Sequence, residues 1–406
     1  MSSAPKIAYF TVRYPTLSQT FIQREIEGLC RMGLEVHVFP CMQWGESSLG
    51  KADKTPSIHP LKWNHFFCGI FWGLKEFILK RSVRENFYRW VQSYQCKNLE
   101  DFFRNFWGLL AGLAHADQMQ SFHAMHGTWA TMPATAAAMA AWRWNKSFSF
   151  GAHAYDIYRD GGDGFLLLKI RHAAWIHTTT ETNITYLKNL CPEAAGKIVL
   201  SRRGLPTLPL FRLRENLSTP LCILSVGRLV PKKGHIYQLD ACALLKKRGI
   251  PFSLHIVGDG PLRKDLKEKI QTLDLQKKIT LEGSLEQAQV VQWYEKADLF
   301  LHTGIIDFSG DRDGLPNVIP EAMAHGVAVI SSSGGGAGEA IKNGETGWTM
   351  DVTQASQLAD TIEQVIKNSE QRKQIVQQAR RWVEENFMTE KNTALLVNAF
   401  QSHLGI

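Results

Sequence analysis

The sequence predicts an α/β protein made of two doubly wound domains in series. Short apolar runs alternate with longer helical patterns along most of the 406 residues, and this alternation is typical of βαβ units. The runs are continuously apolar and do not alternate with polar residues, which indicates parallel strands covered on both faces. Together, the two observations predict parallel sheets flanked by helices.

Composition and charge narrow the class of protein. Hydrophobic residues make up 44% of the chain and charged residues 21%, which is close to the globular average and excludes disordered and collagen-like chains. The net charge of +8 is compatible with nucleoside diphosphates, membrane surfaces and nucleic acids as anionic partners. Because the basic residues are scattered and no nucleic-acid-reading module is visible, we expect no nucleic-acid partner.

The cysteines and the first residues bear on the compartment. The seven cysteines are widely spread and form no CxxC motif, which argues against a disulfide framework and favours a reducing cytoplasm. The opening MSSAPKIAYFTV contains no apolar stretch of the kind found in secretory signals. We therefore expect a cytoplasmic protein.

The apolar runs predict the strands in order. The first half has runs at 6–12, 35–41, 121–127, 147–153, 175–180 and 197–204. The second half has runs at 221–227, 253–258, 278–283, 298–304 and 327–333. Residues 205–220 are proline-containing and aperiodic, which is typical of a linker. We thus predict a domain over 1–204, a linker over 205–220, a second domain over 221–383 and a C-terminal helix within 384–406.

Residues 61–107 depart from the alternation. They contain twelve Phe and Trp residues, and eight basic residues against four acidic ones, a local excess of +4. A basic, aromatic-rich helical segment can lie in a membrane interface. The alternative is a set of helices that pack on the core and expose a solvated basic face. The sequence leaves both interpretations open.

The segment GDRDGLPNVIPEAMAHGVAVISS (310–332) carries the first chemical signal. Pro316 stands where a helix would begin after a strand and a polar loop, and the start of a helix offers N–H groups to a diphosphate. Asp313 and Glu321 lie eight residues apart and can face one cleft, where carboxylates accept hydrogen bonds from sugar hydroxyls. The alternative is a helix-entry aspartate and an ordinary exposed glutamate.

A second signal follows the first strand of the second half, in SVGRLVPKKGH (225–235). Arg228 and Lys233 flank the turn there, and an Arg fork with a Lys ammonium can neutralise a leaving diphosphate. Two solvent-exposed loop cations are the alternative. Both segments follow strands, and ligands of doubly wound sheets bind at the carboxyl ends of strands.

Three other patterns carry no cofactor or metal prediction. Asp311-Arg312-Asp313 spells DxD, but Arg228 and Lys233 would already supply the positive charge that a metal provides elsewhere. His123, His126 and His153 have no acidic partner at a helpful spacing. The glycine-rich run at 331–339 matches neither nucleotide-binding fingerprint. We expect no metal, and no cofactor besides a co-substrate.

The sequence resembles glycosyltransferases of family 4. The resemblance lies in YFTVRYPTLSQTFIQREIEGL (9–29), GAHAYDIY (151–158), SVGRLVPKKG (225–234), HIVGDGP (255–261) and DGLPNVIPEAMAHGVAVI (313–330), in that order. It implies the GT-B fold, in which two doubly wound Rossmann-like domains face a central cleft and the C-terminal helix packs back on the N-terminal domain.

The resemblance also implies roles for individual residues. Arg228 and Lys233 would bind the donor diphosphate, Glu321 the ribose, and Asp313 the donor sugar, although Asp313 is one methylene shorter than the family's glutamate. His153 would face the donor sugar. The implied catalytic set is His153, Arg228, Lys233 and Asp313. The implied donor-binding set is Gly227, Arg228, Lys233, Glu282, Gly283, Gly314, Leu315, Pro316, Asn317, Val318 and Glu321. The expected acceptor-side set is Arg13, Ser18, Thr20, Arg24, His126 and Asp156.

The expected activity is transfer of a sugar from a nucleoside-diphosphate sugar to a hydroxyl of a glycan or lipid-linked glycan. The resemblance implies that the anomeric configuration is retained and that the enzyme acts in polysaccharide assembly without a metal. The basic segment 61–107 makes contact with an anionic membrane a further expectation. Two alternatives stay open: a nucleotide-sugar epimerase of the same architecture, and a non-catalytic subunit that binds sugar nucleotides.

Overall fold

The computed structural model describes residues 4–16, 19–45 and 56–404. The chain divides into two compact units, Met1–Arg203 with Thr389–Ile406, and Gly204–Met388. Residues 205–220 do not stand apart as a linker: Phe211, Leu213 and Leu217 pack against the core of the second unit. Apolar side chains within the stretch, which lack the spacing of a helix or strand, attach it there.

Each unit contains one parallel sheet, so the predicted pair of doubly wound domains is confirmed. Within the described residues the first sheet has the order β3-β2-β1-β4-β5-β6-β7 and the second β10-β9-β8-β11-β12-β13. The strands are β1 (Lys6–Thr11), β2 (Glu35–Pro40), β3 (Ser57–Ile58), β4 (Ala124–Gly127), β5 (Phe148–Gly151), β6 (Trp175–Thr178), β7 (Ile198–Leu200), β8 (Leu221–Val226), β9 (Phe252–Val257), β10 (Ile279–Gly283), β11 (Leu299–His302), β12 (Ala328–Ser332) and β13 (Trp348–Met350).

Every apolar run used to predict a strand contains one. The sequence missed only the two edge strands β3 and β13, which have two and three residues and are too short to show a pattern. All four residues of β11 are buried, as a parallel strand covered on both faces requires.

Helices cover the sheets. They are α1 (Thr20–Arg31), α2 (Trp63–Leu79), α3 (Arg81–Ser93), α4 (Leu99–Ala116), α5 (Met132–Arg143), α6 (Tyr155–Tyr158), α7 (Leu166–His172), α8 (Glu181–Leu190), α9 (His235–Lys247), α10 (Arg263–Thr272), α11 (Gln287–Lys296), α12 (Val318–Ala324), α13 (Ala337–Ala340), α14 (Ala355–Lys367), α15 (Ser369–Asn386) and α16 (Thr389–Leu404).

The region 61–107 forms outer layers on the first unit. The alanine-rich α5 is almost wholly buried, and α4 approaches it so closely that a Cβ on Gly112 would lie 2.6 Å from the Ala136 carbonyl oxygen. In turn, α2 approaches α4 through Gly69, where a Cβ would lie 2.3 Å from the Leu113 carbonyl oxygen. The inner faces of these helices thus pack, and the outer face of α2 is left to solvent.

The C-terminal helix α16 belongs to the first unit. It begins at Thr389, and the residues before it, up to Asn386, belong to α15. The Phe400 ring meets Trp175 edge to face at 4.9 Å, and the Ser201 hydroxyl donates to the Asn392 carbonyl oxygen at 3.0 Å. The C-terminal helix thus packs on β6 and on the segment after β7.

Candidate functional site

The order of the second sheet places its ligand crevice. The chain winds outward in one direction from β8 and in the other from β11, and these two strands are neighbours. The loops that follow them diverge, which leaves a crevice at the carboxyl ends of the strands. The loop after β8 carries Arg228 and Lys233, and the loop after β11 carries Asp313. The two chemical signals of the sequence therefore meet at one point.

Lys233, Asp313 and His302 form the centre of this crevice. The Lys233 ammonium donates to Asp313 Oδ2 at 2.6 Å, and His302 Nε2 lies 3.2 Å from the same oxygen. Because an ionised carboxylate only accepts, His302 carries its proton on Nε2, and Nδ1 accepts from the Ser331 hydroxyl at 3.0 Å. The strand end thus fixes the carboxylate that the sequence assigned to the donor sugar.

The electrostatics of this centre follow from burial and pairing. Burial works to raise the pKa of the Asp313 carboxyl, but Lys233, His302 and Lys232 outweigh it and hold that pKa well below its usual range. Burial lowers the pKa of the His302 imidazole; the hydrogen bond to Asp313 works against this, and Lys233 acts in the same direction as burial. At neutral pH the Asp313 carboxyl is therefore ionised and the His302 imidazole is neutral.

Two lysine side chains form ion pairs with the two aspartates of the DxD sequence. The Lys232 ammonium donates to Asp311 Oδ1 at 2.9 Å and lies 3.8 Å from Asp313 Oδ1, while Lys233 holds the other Asp313 oxygen. Both carboxylates are therefore neutralised by lysines, and their arrangement differs from an open pair of metal ligands.

Arg228 is exposed beside this cluster. Among the residues that the structure describes, its guanidinium forms no ion pair, so the fork is available to a ligand. The turn that presents it depends on Gly234, which has a φ of +60° and where a Cβ would lie only 2.0 Å from the Thr303 carbonyl oxygen. Behind the turn, His235 Nε2 donates to the Arg228 carbonyl oxygen at 3.2 Å. Gly227 directly follows β8 and lies against the Lys233 side chain, where a Cβ at Gly227 would lie 3.4 Å from Lys233 Cδ.

The helix predicted to begin near Pro316 begins at Val318, with Asn317 as its N-cap. Gly314, Leu315 and Pro316 precede it as non-helical residues. On its first turn, Glu321 is buried, and Oε2 accepts from the Tyr294 hydroxyl at 3.2 Å. Glu321 is thus a held carboxylate, and not the ordinary exposed one of the alternative interpretation.

Glu282 and Gly283 lie at the end of β10. Glu282 Oε1 is 2.8 Å from His255 Nδ1, and the His255 ring lies 4.2 Å from the Trp293 ring. Gly283 has a φ of +78°, which favours glycine. The side chains of Glu282, His255 and Trp293 form a small polar and aromatic group, with His255 on β9 and Glu282 on β10.

In the first unit, the winding direction reverses between β1 and β4. His126 lies on β4, and His153 follows β5 with a 2% exposed side chain. Asp156 accepts from three backbone N–H groups, those of Ala130, His153 and Ala154, so it holds the loops after β4 and β5 together. Burial lowers the pKa of both histidines well below the usual value, which keeps them neutral.

The structure adds Glu25 and His177, which sequence reasoning missed. Glu25 Oε2 lies 3.4 Å from His177 Nε2, and the Tyr9 hydroxyl donates to Glu25 Oε1. His126 stacks between the Tyr9 and His177 rings at 4.6 and 5.3 Å. Glu25 stands on α1 and His177 on β6, so only the fold brings them to His126, and no short spacing could have shown the group.

The other predicted acceptor-side residues lie near the start of the first unit. Arg13 is exposed and, with Tyr14, Gln43 and Trp44, lines an open depression of about 670 Å³. Thr20 begins α1, and Arg24 is partly buried on the same helix. Ser18 falls outside the described residues.

Comparison with known families finds a match within the second unit. Residues 212–382 match the family model described as glycosyl transferases group 1. The matched stretch contains Arg228, Lys233, Asp313 and Glu321, the residues that converge at the crevice of the second sheet.

The chain is also similar to proteins of exopolysaccharide assembly. It is 35% identical over 198 residues to the amylovoran biosynthesis glycosyltransferase AmsK of Erwinia amylovora. It is 32% identical over 200 residues to the putative colanic acid biosynthesis glycosyltransferase WcaL of Escherichia coli K12. Each match covers 48% of this chain and 48% of the relative, so the similarity spans about half the length of the relatives.

The solved structure of HepE from Anabaena in complex with UDP-glucose is similar over 98% of this chain and 99% of that chain. The TM-score is 0.68 and the identity 15%, so the likeness establishes the fold. The chain has the GT-B fold, with one Rossmann-like domain in each unit, as the resemblance implied.

Proposed function

We propose that this chain is a retaining glycosyltransferase of family 4. It transfers a sugar from a nucleoside-diphosphate sugar to a hydroxyl group of a glycan or lipid-linked glycan in polysaccharide biosynthesis. The observation that carries the proposal is the free Arg228 guanidinium beside the Lys233–Asp313–His302 cluster, at the crevice of the second sheet. The group 1 match over 212–382 and the activities named for AmsK and WcaL support it.

The cluster suits a diphosphate leaving group. As the bond from the anomeric carbon to the diphosphate oxygen breaks, negative charge grows on the phosphates, and Arg228 and Lys233 stabilise it. The acceptor oxygen bonds to the anomeric carbon from the same face, and its proton passes to the departing phosphate oxygen. Since lysines occupy both carboxylates of the DxD sequence, these cations take the place of a divalent metal in donor binding. Glu321 would accept from the ribose hydroxyls.

A thermal-shift panel of UDP, GDP, ADP and dTDP in the presence of EDTA tests the donor site. One nucleotide should raise the unfolding midpoint, since a ligand at 100 times its dissociation constant adds about 2.7 kcal/mol to the free energy of unfolding. Glu321→Ala should lose the shift, whereas the control Glu363→Ala, a partly exposed residue of α14 that pairs with Arg248, should keep it. Absence of a shift with every nucleotide would contradict the proposal.

Product analysis with the donor so identified then tests the reaction. A transferase releases the nucleoside diphosphate only as sugar appears on an acceptor, and the new linkage keeps the donor's anomeric configuration. Formation of an epimer without an acceptor would instead identify a nucleotide-sugar epimerase. Nucleotide binding without turnover on any glycan acceptor would identify a non-catalytic subunit.

We further propose that the acceptor is lipid-linked and met at the cytoplasmic face of an anionic membrane. The described helices include none with the length and apolarity of a membrane span. However, one face of α2 presents Trp63, Phe67, Phe71, Leu74 and Ile78 to solvent, each 57–72% exposed. Exposed apolar patches of this size mark interaction sites, and the surrounding basic excess favours an anionic lipid surface.

Vesicle flotation tests this surface. The chain should float with anionic vesicles at low salt, and Phe67→Ser with Phe71→Ser should weaken the binding at least about tenfold, because each buried apolar side chain contributes about 1.5–3 kcal/mol. Leu395→Ser, which changes an exposed leucine of α16, is the matched control. Equal flotation of the double variant and the control, or no flotation of the wild type, would contradict the membrane proposal.

A further inference from the structure

The group in the first unit around Glu25 is not accounted for by sugar transfer. His126 is fully buried and His177 is 1% exposed. His126 Nε2 and His177 Nδ1 are buried and have no hydrogen-bond partner among the described residues, while His177 Nε2 faces Glu25 Oε2 at 3.4 Å. A buried polar atom without a partner costs free energy, so these atoms are arranged as if a further ligand completed them.

We propose that Glu25, His126 and His177 form a binding site for a divalent transition-metal ion, with Zn²⁺ as the best fit. Each residue offers one ligand atom, and the three atoms lie within 4.8 Å of one another. Two imidazoles and one carboxylate are a donor set that Zn²⁺ uses, and they leave a fourth position for a water or a substrate oxygen.

The surrounding side chains are placed as metal ligands require. His126 Nδ1 hydrogen-bonds with the Ser149 hydroxyl at 2.8 Å, which fixes the ring and leaves Nε2 for the ion. Tyr9 donates to Glu25 Oε1, which leaves Oε2 beside His177. Partners of this kind orient the ligands of metal sites.

The charge around the group also permits a cation. Arg203 lies in this region, and the Glu25 and Asp156 carboxylates are the charges that act on it. The Arg203 guanidinium lies over the Phe21 ring at 3.4 Å, which gives that cation a partner of its own. A divalent ion would therefore meet the negative charge of Glu25 and a ring nitrogen from each of two imidazoles.

The ligands of this site belong to the first unit, whereas Arg228, Lys233 and Asp313 belong to the second. Sequence spacing offers His123, His126 and His153 no acidic partner, and on that ground no metal is expected. Glu25 comes from α1, 101 residues before His126 and 152 before His177. The fold supplies the acidic ligand that the spacing lacked.

Metal binding by the full-length chain without a histidine tag tests the assignment. After treatment with EDTA and gel filtration, Co²⁺ should bind at about one equivalent per chain, with the visible absorption of a low-coordinate site. Zn²⁺ should displace it. His177→Gln should abolish the absorption, and Glu25→Gln should weaken binding by at least about tenfold. His123→Gln, an exposed histidine beside the same strand, should leave both unchanged.

Two results would overturn the site. One is a folded wild-type chain that retains no Co²⁺ and no Zn²⁺, which would make the group a metal-free polar cluster. The other is unchanged binding in Glu25→Gln and His177→Gln, which would place the ion elsewhere. Far-UV circular dichroism establishes folding, and Glu25→Gln, which conserves volume, decides if His177→Gln unfolds. Because no nucleotide enters the measurement, it is independent of the proposed transfer reaction.

Discussion

Each unit carries a polar cluster that includes a histidine from a strand at the point where its sheet reverses direction, His126 on β4 and His302 on β11, but the clusters differ in how charge is compensated. In the second unit, Asp313 meets Lys233 and His302 at hydrogen-bond distance. In the first unit, His126 Nε2 and His177 Nδ1 are buried and meet no hydrogen-bond partner within the part of the chain that the structure describes. The second cluster is therefore neutralised by its own cations and leaves Arg228 exposed, whereas the first brings one carboxylate and two imidazoles together. Two parallel sheets of the same kind can thus carry clusters suited to ligands of opposite charge.

The largest expected effect comes from removing the cation that the second cluster leaves free. Arg228→Ala should lower turnover by about 100-fold or more, because a group that stabilises developing charge usually contributes at least that much. Arg228→Lys should recover part of the loss, since it restores the charge but not the fork. Steady-state rates measure the effect.

The control for this variant is Lys264→Ala, a strongly exposed cation of the same unit. It should leave turnover unchanged. A loss of less than about threefold in Arg228→Ala would show that the exposed guanidinium has no part in the reaction, against the usual cost for such a group.

The next effect tests whether the second cluster depends on a close backbone approach. Gly234 and Gly249 both have left-handed φ angles, +60° and +72°. Alanine at Gly249 meets no atom within 4 Å, so it should cost only the left-handed conformation, about 1–2 kcal/mol. Alanine at Gly234 adds a clash with the Thr303 carbonyl oxygen and should cost clearly more. Chemical denaturation measures both, and equal costs would show that the turn yields easily.

The sequence could predict the second cluster better than the first for a physical reason. Arg228, Lys233, Asp313 and Glu321 fall in two short segments that each follow a strand, so local pattern and the rule for strand ends suffice. The same rule predicts a role for His153, which follows β5. Glu25 and His177 come from elements far apart in the chain, and no local pattern signals their approach.

The same limit applies to the helices of residues 61–107. Their aromatic content favours burial and interfacial exposure equally, because periodicity does not say which layer covers which. The structure shows that Gly69 and Gly112 allow close packing on the inner side, while Phe67 and Phe71 stay exposed. Glycines on one face of a helix indicate a close approach, but the sequence does not say which helix approaches.

The free energy of unfolding should fall in acid because of His235, which lies behind the turn that carries Arg228 and Lys233. Burial, and then Lys233, lower the pKa of His235 to about 4 from 6.5. Between these pH values the unfolded chain binds a proton at this imidazole and the folded chain does not, so the free energy of unfolding falls as pH falls. Above pH 6.5 the His235 imidazole is neutral in both the folded and the unfolded chain. By pH 4 its protonation in the unfolded chain lowers the free energy of unfolding by about 3 kcal/mol.

Denaturation midpoints across this window measure the effect of His235. His235→Gln should flatten the fall in stability between pH 6.5 and 4, and the exposed His172→Gln should not. Equal slopes for the wild type and His235→Gln would show that the imidazole takes up its proton in the folded state, and that Lys233 leaves room for a second positive charge.

The smallest expected effect concerns the hydrogen bond that holds Glu321. Tyr294→Phe removes the hydroxyl that donates to Glu321 Oε2 at 3.2 Å and keeps the buried ring. A single hydrogen bond contributes about 0.5–1.5 kcal/mol, so the affinity for the nucleotide should fall by a factor of about 2–10. Calorimetric titration measures it, and Tyr237→Phe, on the first turn of α9, is the control. An unchanged affinity would mean that the α12 backbone alone positions the carboxylate. In that case the second cluster would need fewer side-chain partners than its geometry indicates, and its contrast with the first would rest on Lys233 and Asp313 alone.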